Sequence, residues 1–208
     1  RFLDIKPEIS NLFIIFINNK VLYDLNNKTF LLNSSFLNFT NFKFKKIGIA
    51  QDNNINIYAA DLSNESFSLS NQGYQSLVEY DLRYLMTILS EKDLGLVGRA
   101  NQLLHYLNSN KYCGYCGSFI EFDSTEEAMF CKCNNLMIYP NISPCVLALI
   151  KKDNQILLAR NALFPEGLYS ALAGFIEVSE TAEETVIREV FEEVSLKVNN
   201  INYYASQA

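Results

Sequence analysis

Along residues 11–80, short apolar runs at 12–17, 21–23, 30–32, 42–49 and 55–60 alternate with Asn-rich polar stretches. Runs of this length, rich in Ile, Phe and Tyr, predict the strands of a small sheet. Asn26-Asn27 and Asn53-Asn54 predict turns between them, because asparagine tolerates the backbone conformations that reverse a chain. From residue 81 to 108 the spacing changes to Leu82, Leu85, Leu89, Leu96, Leu103, Leu104 and Leu107, a helical period. Gly95 and Gly98 predict a break in it, hence two helices packed on the sheet, followed by a linker at Asn108-Ser109-Asn110. A further helix is predicted from Thr181, which forms a capping box with Glu184 and is followed by an apolar face of Val186, Val190 and Val194. Strands followed by helices make the chain α+β.

Composition narrows this picture. A length of 208 residues with 49% hydrophobic content is enough for one large or two small cores. The net charge of −6 excludes broad electrostatic attraction to nucleic acid, so any nucleotide contact is local. The longest apolar runs, 12–17 and 145–150, have six residues each, against roughly 20 for a membrane-spanning helix. The first residues lack the features of a secretory signal, and the expectation is a cytoplasmic protein. The single histidine, His105, falls within the helical stretch without a partner motif and is a poor catalytic candidate.

Four of the five cysteines lie within 21 residues, an arrangement that suits a metal site in a reducing compartment better than a disulfide framework. Cys113-Gly114-Tyr115-Cys116 offers two thiolates to one cation, and Cys131-Lys132-Cys133 offers a second pair. Four thiolates around tetrahedral zinc form a closed, structural site, so the expectation is one zinc per chain held by Cys113, Cys116, Cys131 and Cys133. The second pair is irregular, because C-x-x-C spacing would set the fourth ligand at Asn134. Cys145, at the start of an apolar run, is expected to be a buried small hydrophobe.

The densest signal is residues 174–196, GFIEVSETAEETVIREVFEEVSL. Glu189, Glu192 and Glu193 share one face of the predicted helix, where like charges oppose it by roughly 0.2–0.5 kcal/mol per pair. A bound divalent cation reverses that cost, and Mg2+ or Mn2+ suits such oxygen ligands. An acidic helix face by itself is usually a solvated surface. This one fits G-x5-E-x7-R-E-U-x-E-E-x-x-U, with U aliphatic, through Gly174, Glu180, Arg188, Glu189, Val190, Glu192, Glu193 and Leu196. Six fixed letters coincide by chance roughly once in ten million starts, which decides against the bland alternative.

At this point the sequence resembles the Nudix superfamily. The resemblance implies Glu189 and Glu193 as ligands of catalytic Mg2+ or Mn2+, the carbonyl of Ala173 as a backbone ligand, and Glu192 as a further ligand or general base. It implies Arg188 as the internal salt-bridge partner that orients a carboxylate. Ser195 stands where the family usually has glycine, a change expected to affect the end of the helix rather than the chemistry.

The cysteine ribbon ahead of the box, the stretch Tyr139-Pro140-Asn141-Ile142-Ser143-Pro144-Cys145, and Ser206-Gln207 beyond the helix together resemble the NADH pyrophosphatase family. That resemblance implies an N-terminal Nudix-like α/β domain at 1–108, a zinc ribbon at 109–140 and a Nudix α/β/α sandwich at 141–208. The sandwich is expected to be incomplete, since the family's later strands and third acidic ligand lie beyond the position of Ala208. Tyr139 and Phe175 resemble residues that hold the nicotinamide ring, Glu126 and Arg83 resemble further substrate contacts, and Ser206 and Gln207 open a specificity motif. The expected activity is hydrolysis of NADH or NAD+ to nicotinamide mononucleotide and AMP, with NAD-capped RNA ends as a further substrate, by a homodimer. Two alternatives remain open: a Nudix hydrolase for ADP-ribose or dinucleoside polyphosphates, and a zinc-ribbon binding module whose Nudix half has lost catalysis.

Overall fold

Strand β1 (Leu12–Ile17) is apolar at every position because both of its faces are buried. Phe13, Ile15 and Ile17 join Leu22, Leu32, Tyr58 and Leu77 on one face, whereas Ile14 and Phe16 join Val21, Ile57, Leu85, Val97 and Leu103 on the other. The computed structural model describes residues 11–33, 45–49, 55–63, 75–123 and 125–207, and the chain divides into two compact units, Arg1–Pro140 and Asn141–Ala208.

In the first unit, β1 pairs in parallel with β5 (Asn56–Asp61) on one edge. Its other edge is shared by β2 (Lys20–Asp24) and β3 (Leu32–Asn33), both antiparallel. Strands β4 (Lys45–Ile49) and β6 (Leu77–Tyr80) extend the sheet to the order β4-β5-β1-β2-β6. Asn18 and Asn19 both have positive φ, 49° and 63°, and form the two-residue turn between β1 and β2. Such turns suit the twist of the strands they join. The expected turn at Asn26-Asn27 closes on the Asp24 carboxylate, which accepts from the Asn26 N–H and the Asn27 side chain. The run expected at 30–32 contributes only Leu32 to a strand, with Phe30 buried beside it. Positions 42–44 of one expected strand and the Asn53-Asn54 turn lie outside the described residues.

Helices α1 (Leu82–Ile88) and α2 (Glu91–Ser109) cover the face bearing Ile14 and Phe16. The break falls at Leu89-Ser90, not at the glycines. Ser90 caps α2, accepting from the Asp93 N–H at 3.2 Å and donating to the Asp93 carboxylate at 2.8 Å. The helix then runs through Gly95 and Gly98, because Val97, Ala100, Leu103 and Leu107 on its buried stripe outweigh the roughly 1 kcal/mol that each glycine costs.

Beyond α2, strands β7 (Glu121–Asp123), β8 (Ala128–Cys131) and β9 (Leu136–Ile138) form a small antiparallel sheet. Its core of Cys113, Ile120, Met129 and Cys131 packs with Tyr106 and Leu107 of α2. The buried Tyr106 hydroxyl accepts from the Met129 N–H at 2.6 Å and donates to the Ile138 carbonyl, fastening helix to sheet.

In the second unit, β10 (Cys145–Ala148) pairs antiparallel with β13 (Leu172–Phe175), and β11 (Ile150–Lys152) forms a hairpin with β12 (Gln155–Leu157). Helix α3 (Ala182–Val194) buries Val190 against Ala148 and Leu172, with Val186 and Val194 partly buried alongside. Cys145 is exposed rather than buried: it lies opposite the exposed Phe175 at the end of the β10–β13 ladder, while Ala148 and Leu172 at the other end make the core.

A Cβ added at Gly95 or Gly98 would meet nothing within 4 Å, and both sites are exposed. Gly95→Ala and Gly98→Ala are therefore expected to stabilise the first unit by about 0.5–1 kcal/mol each in urea unfolding. A loss of stability from either would show that α2 needs its glycines.

Candidate functional site

Helix α3 starts where its sequence requires. The Thr181 hydroxyl accepts from the Glu184 N–H at 3.2 Å, and the Glu184 carboxylate accepts from the Thr181 N–H at 2.8 Å. The helix ends at Ser195, which has φ 56°, a left-handed conformation that glycine adopts more easily.

Between these ends, Arg188 is saturated. Its Nε donates to Glu180 at 2.6 Å and its Nη2 to the other Glu180 oxygen at 2.8 Å, a two-pronged pair. The remaining donors reach Glu189 at 3.0 Å, Glu192 at 3.3 Å and the Phe175 carbonyl at 3.0 Å. Arg188, Glu180 and Glu189 are shielded, with side chains only 23%, 19% and 17% exposed, which strengthens their attraction relative to a surface pair. The Glu180 carboxyl is held down to about 2, first by the Arg188 hydrogen bonds and further by those from the Glu177 N–H and Thr185. The same contacts raise the Arg188 guanidinium.

Glu180 is the residue that sequence reasoning left without a role. Its place in the spaced motif was the available signal, but only the fold brings it back onto Arg188.

Glu189, which shares a helix face with Glu192 and Glu193, is largely buried where those two are exposed, and lies against Gly174 of β13. A Cβ built on Gly174 would stand 1.9 Å from the Glu189 Cδ, so any other residue there displaces this carboxylate from its position. Glu192 and Glu193 are exposed, and Glu193 has no partner among the described residues. Ala173 precedes Gly174 in β13. The glutamates supply hard oxygen donors, the chemistry that Mg2+ and Mn2+ prefer. Their oxygens are not gathered into a cage: among the described residues, the only three or more ligating side chains with donor atoms within 4.8 Å of one another are Cys113, Cys116 and Cys131.

That sulfur cluster fits a soft cation. Zinc with ~2.3 Å bonds separates tetrahedral sulfurs by about 3.8 Å, and Cys116 and Cys131 stand 3.6 Å apart. Gly117, with φ 72°, makes the turn that returns the chain from Cys113, whose N–H and carbonyl bond to Ser118 and Gly117. Hydrogen bonds from Ser118, side chain first, bring the Cys116 thiol down to about 6, and burial pushes the Cys131 thiol up. Cys133, expected as the fourth ligand, is outside the cluster. It is exposed, and its thiol donates to the Ser118 hydroxyl at 3.3 Å.

Of the expected substrate contacts, the fold brings together Tyr139 and Glu126, whose side chains are joined by a 3.2 Å hydrogen bond. Burial, then this carboxylate, raise the Tyr139 phenol. Phe175 exposes its ring at the end of β13 while its carbonyl binds Arg188. Arg83 is exposed on α1; Ser206 accepts from the Tyr203 hydroxyl at 2.8 Å, and Gln207 is exposed.

A capped helix whose arginine fixes a carboxylate over a strand glycine defines a class, and residues 141–208 match the NUDIX domain family. The match covers those residues alone, about a third of the chain. The chain is similar to the NAD-capped RNA hydrolase NudC of Enterobacter sp. (strain 638), 45% identical over 112 residues, 54% of this chain and 43% of the relative. The protein of the same name from Photorhabdus laumondii is 40% identical over 134 residues, 64% of this chain and 52% of the relative. That of Escherichia coli (strain K12 / DH10B) is 46% identical over 112 residues, 54% and 44% of the respective chains. The chain spans about half the length of these curated relatives.

The Glu180–Arg188 pair gives a pH dependence of stability. Glu180 has a lower value folded, about 2, than its ordinary 4.5, so its contribution is fully present above 4.5 and is lost as pH falls toward 2. Melting curves of the protein and of Glu180→Gln should differ most above 4.5 and converge near 2. A difference independent of pH would refute the charge pairing as its source.

Proposed function

We propose that this protein hydrolyses the diphosphate bridge of NADH and NAD+, giving AMP and nicotinamide mononucleotide, and cleaves the same bridge at NAD-capped RNA 5′ ends. The observation that carries this reading is a cysteine cluster followed in the same chain by a Nudix helix, beside 40–46% identity over 112–134 residues to NAD-capped RNA hydrolases.

Glu189 and Glu193, with the Ala173 carbonyl, would hold Mg2+ or Mn2+. When bound, such ions neutralise the diphosphate oxygens and polarise the attacking water. Arg188 positions Glu189 and Glu192 and spares them the cost of facing each other as unpaired anions. Glu192, exposed beside that arginine, serves as a further ligand or as general base. Tyr139 and Phe175 resemble the family's nicotinamide-holding residues, and each exposes an aromatic face suited to a flat ring. Glu126, which accepts from Tyr139, fixes the phenol's orientation, while Arg83, Ser206 and Gln207 make polar contacts to the substrate.

The proposed organisation is a Nudix-like α/β domain at 1–108, a ribbon at 109–140 holding one structural zinc, and a Nudix α/β/α sandwich from 141. The proposed setting is a cytoplasmic homodimer, as the family resemblance implies. Among the described residues, no helix is long and apolar enough to cross a membrane.

Incubated with Mg2+ or Mn2+, the protein should convert NADH and NAD+ to AMP and nicotinamide mononucleotide, resolved by chromatography. Release of products from ADP-ribose alone would sink the nicotinamide reading, and cleavage of none of the three would favour a binding module. Glu189→Gln and Glu193→Gln should each lower turnover at least about 10²-fold with the helix content retained.

Gly174→Ala should have an effect on the order of 10²-fold without touching a charged group, because it moves the Glu189 carboxylate by an ångström or more. Wild-type turnover in that variant would mean that the seat of Glu189 is irrelevant to the chemistry.

A further inference from the structure

The ribbon carries an irregularity that the Nudix reading leaves unexplained. A zinc ribbon needs a fourth corner, and two neighbouring residues compete for it. Cys133 offers a better ligand by chemistry, and Asn134 is better placed by geometry. The turn of residues 132–135 links β8 to β9. In a tight turn the first and fourth residues come together. Counting from Cys131 at the end of β8, the fourth residue is Asn134 and the third is Cys133.

The distances follow that rule. The Asn134 carboxamide nitrogen lies 3.8 Å from the Cys113 sulfur and 3.7 Å from the Cys131 sulfur. The Cys133 thiol is turned to the Ser118 hydroxyl and exposed. Asn135, with φ 50°, takes the left-handed conformation that carries the chain from this turn into β9. Moving Cys133 into the corner would require the turn to be rebuilt and its bond to Ser118 broken.

A carboxamide has a donor nitrogen and an acceptor oxygen of nearly the same shape, exchanged by rotation about its last bond. Facing bare sulfurs, the nitrogen is the favourable end; facing a cation among those sulfurs, the oxygen is. We propose that Cys113, Cys116, Cys131 and the Asn134 carboxamide together form a site with three thiolates and one oxygen for zinc, and that Cys133 stays outside it as a free thiol. This rests on the reading of residues 109–140 as a metal-binding ribbon.

Three thiolates leave the site with one negative charge fewer than four, which reduces the cost of burying it between β8 and the knuckle. A neutral oxygen is a weaker partner for zinc than a thiolate, so the metal is held less tightly than in a four-sulfur ribbon.

Alkylation and metal binding test this together. The protein is loaded with zinc, treated with iodoacetamide and mapped by peptide mass spectrometry. Cys133 and the exposed Cys145 should be modified, with Cys113, Cys116 and Cys131 protected until a chelator is added. Protection of Cys133 along with those three would overturn the proposal. Modification of all five despite added zinc would overturn the ribbon reading on which it stands.

Zinc competition with a chromogenic chelator gives the second arm. Asn134→Ala should weaken binding about 10- to 100-fold. Asn134→Asp, which keeps an oxygen in the corner, should bind at least as tightly as the parent, and Asn134→Cys more tightly. Unchanged affinity in Asn134→Ala, with secondary structure intact by circular dichroism, would show that the carboxamide is not a ligand.

Discussion

A guanidinium has five N–H donors in a rigid plane, and Arg188 gives every one of them an acceptor: two oxygens of Glu180, one each from Glu189 and Glu192, and the Phe175 carbonyl. The rest of the second unit is arranged around that plane. The Phe175 bond ties helix α3 to the end of β13, and the Glu180 pair anchors the loop that leads into the helix. Three acidic side chains share one cation that cannot lose its proton. Lysine would keep the charge and lose the fork, so the geometry that aligns two carboxylates belongs to arginine alone.

The same plane explains why a strand glycine matters to a helix glutamate. Arg188 draws Glu189 inward, and the carboxylate comes to rest where the Gly174 side chain would be. The letters G and E, fifteen positions apart in the motif, are two halves of one steric fit. The capping box contributes by fixing where the helix begins, since a shift of one residue would rotate Arg188 off Glu180 by about 100°.

Much of this was legible in the sequence because it is local. The Thr181–Glu184 box, the end of α3 at Ser195 and the strand at 12–17 each depend on a few neighbouring residues. What escaped depends on contacts between distant ones or on competition between neighbours. The glycines of α2 suggested a break, yet a serine cap and a buried stripe moved it to Leu89-Ser90. Glu180 had no role until folding returned it to Arg188. Its place at the start of an apolar run suggested a buried Cys145, but it belongs to the open end of its ladder. Cysteine count favoured Cys133 over Asn134, whereas the turn after β8 brings Asn134 to the sulfurs.

The hydroxyl of Tyr106 joins two elements that sequence treats as separate, the end of α2 and the sheet of β7 to β9. It is buried, and it satisfies one main-chain donor and one main-chain acceptor at once. Neither the Met129 amide nor the Ile138 carbonyl can be exposed to water without giving up that oxygen, so ribbon and helix end open as one cooperative unit. Loosening of the cysteine knuckle is then felt beyond it: amide exchange at Met129 and in the last turn of α2 rises together, and the helix becomes a reporter of the state of the cysteines.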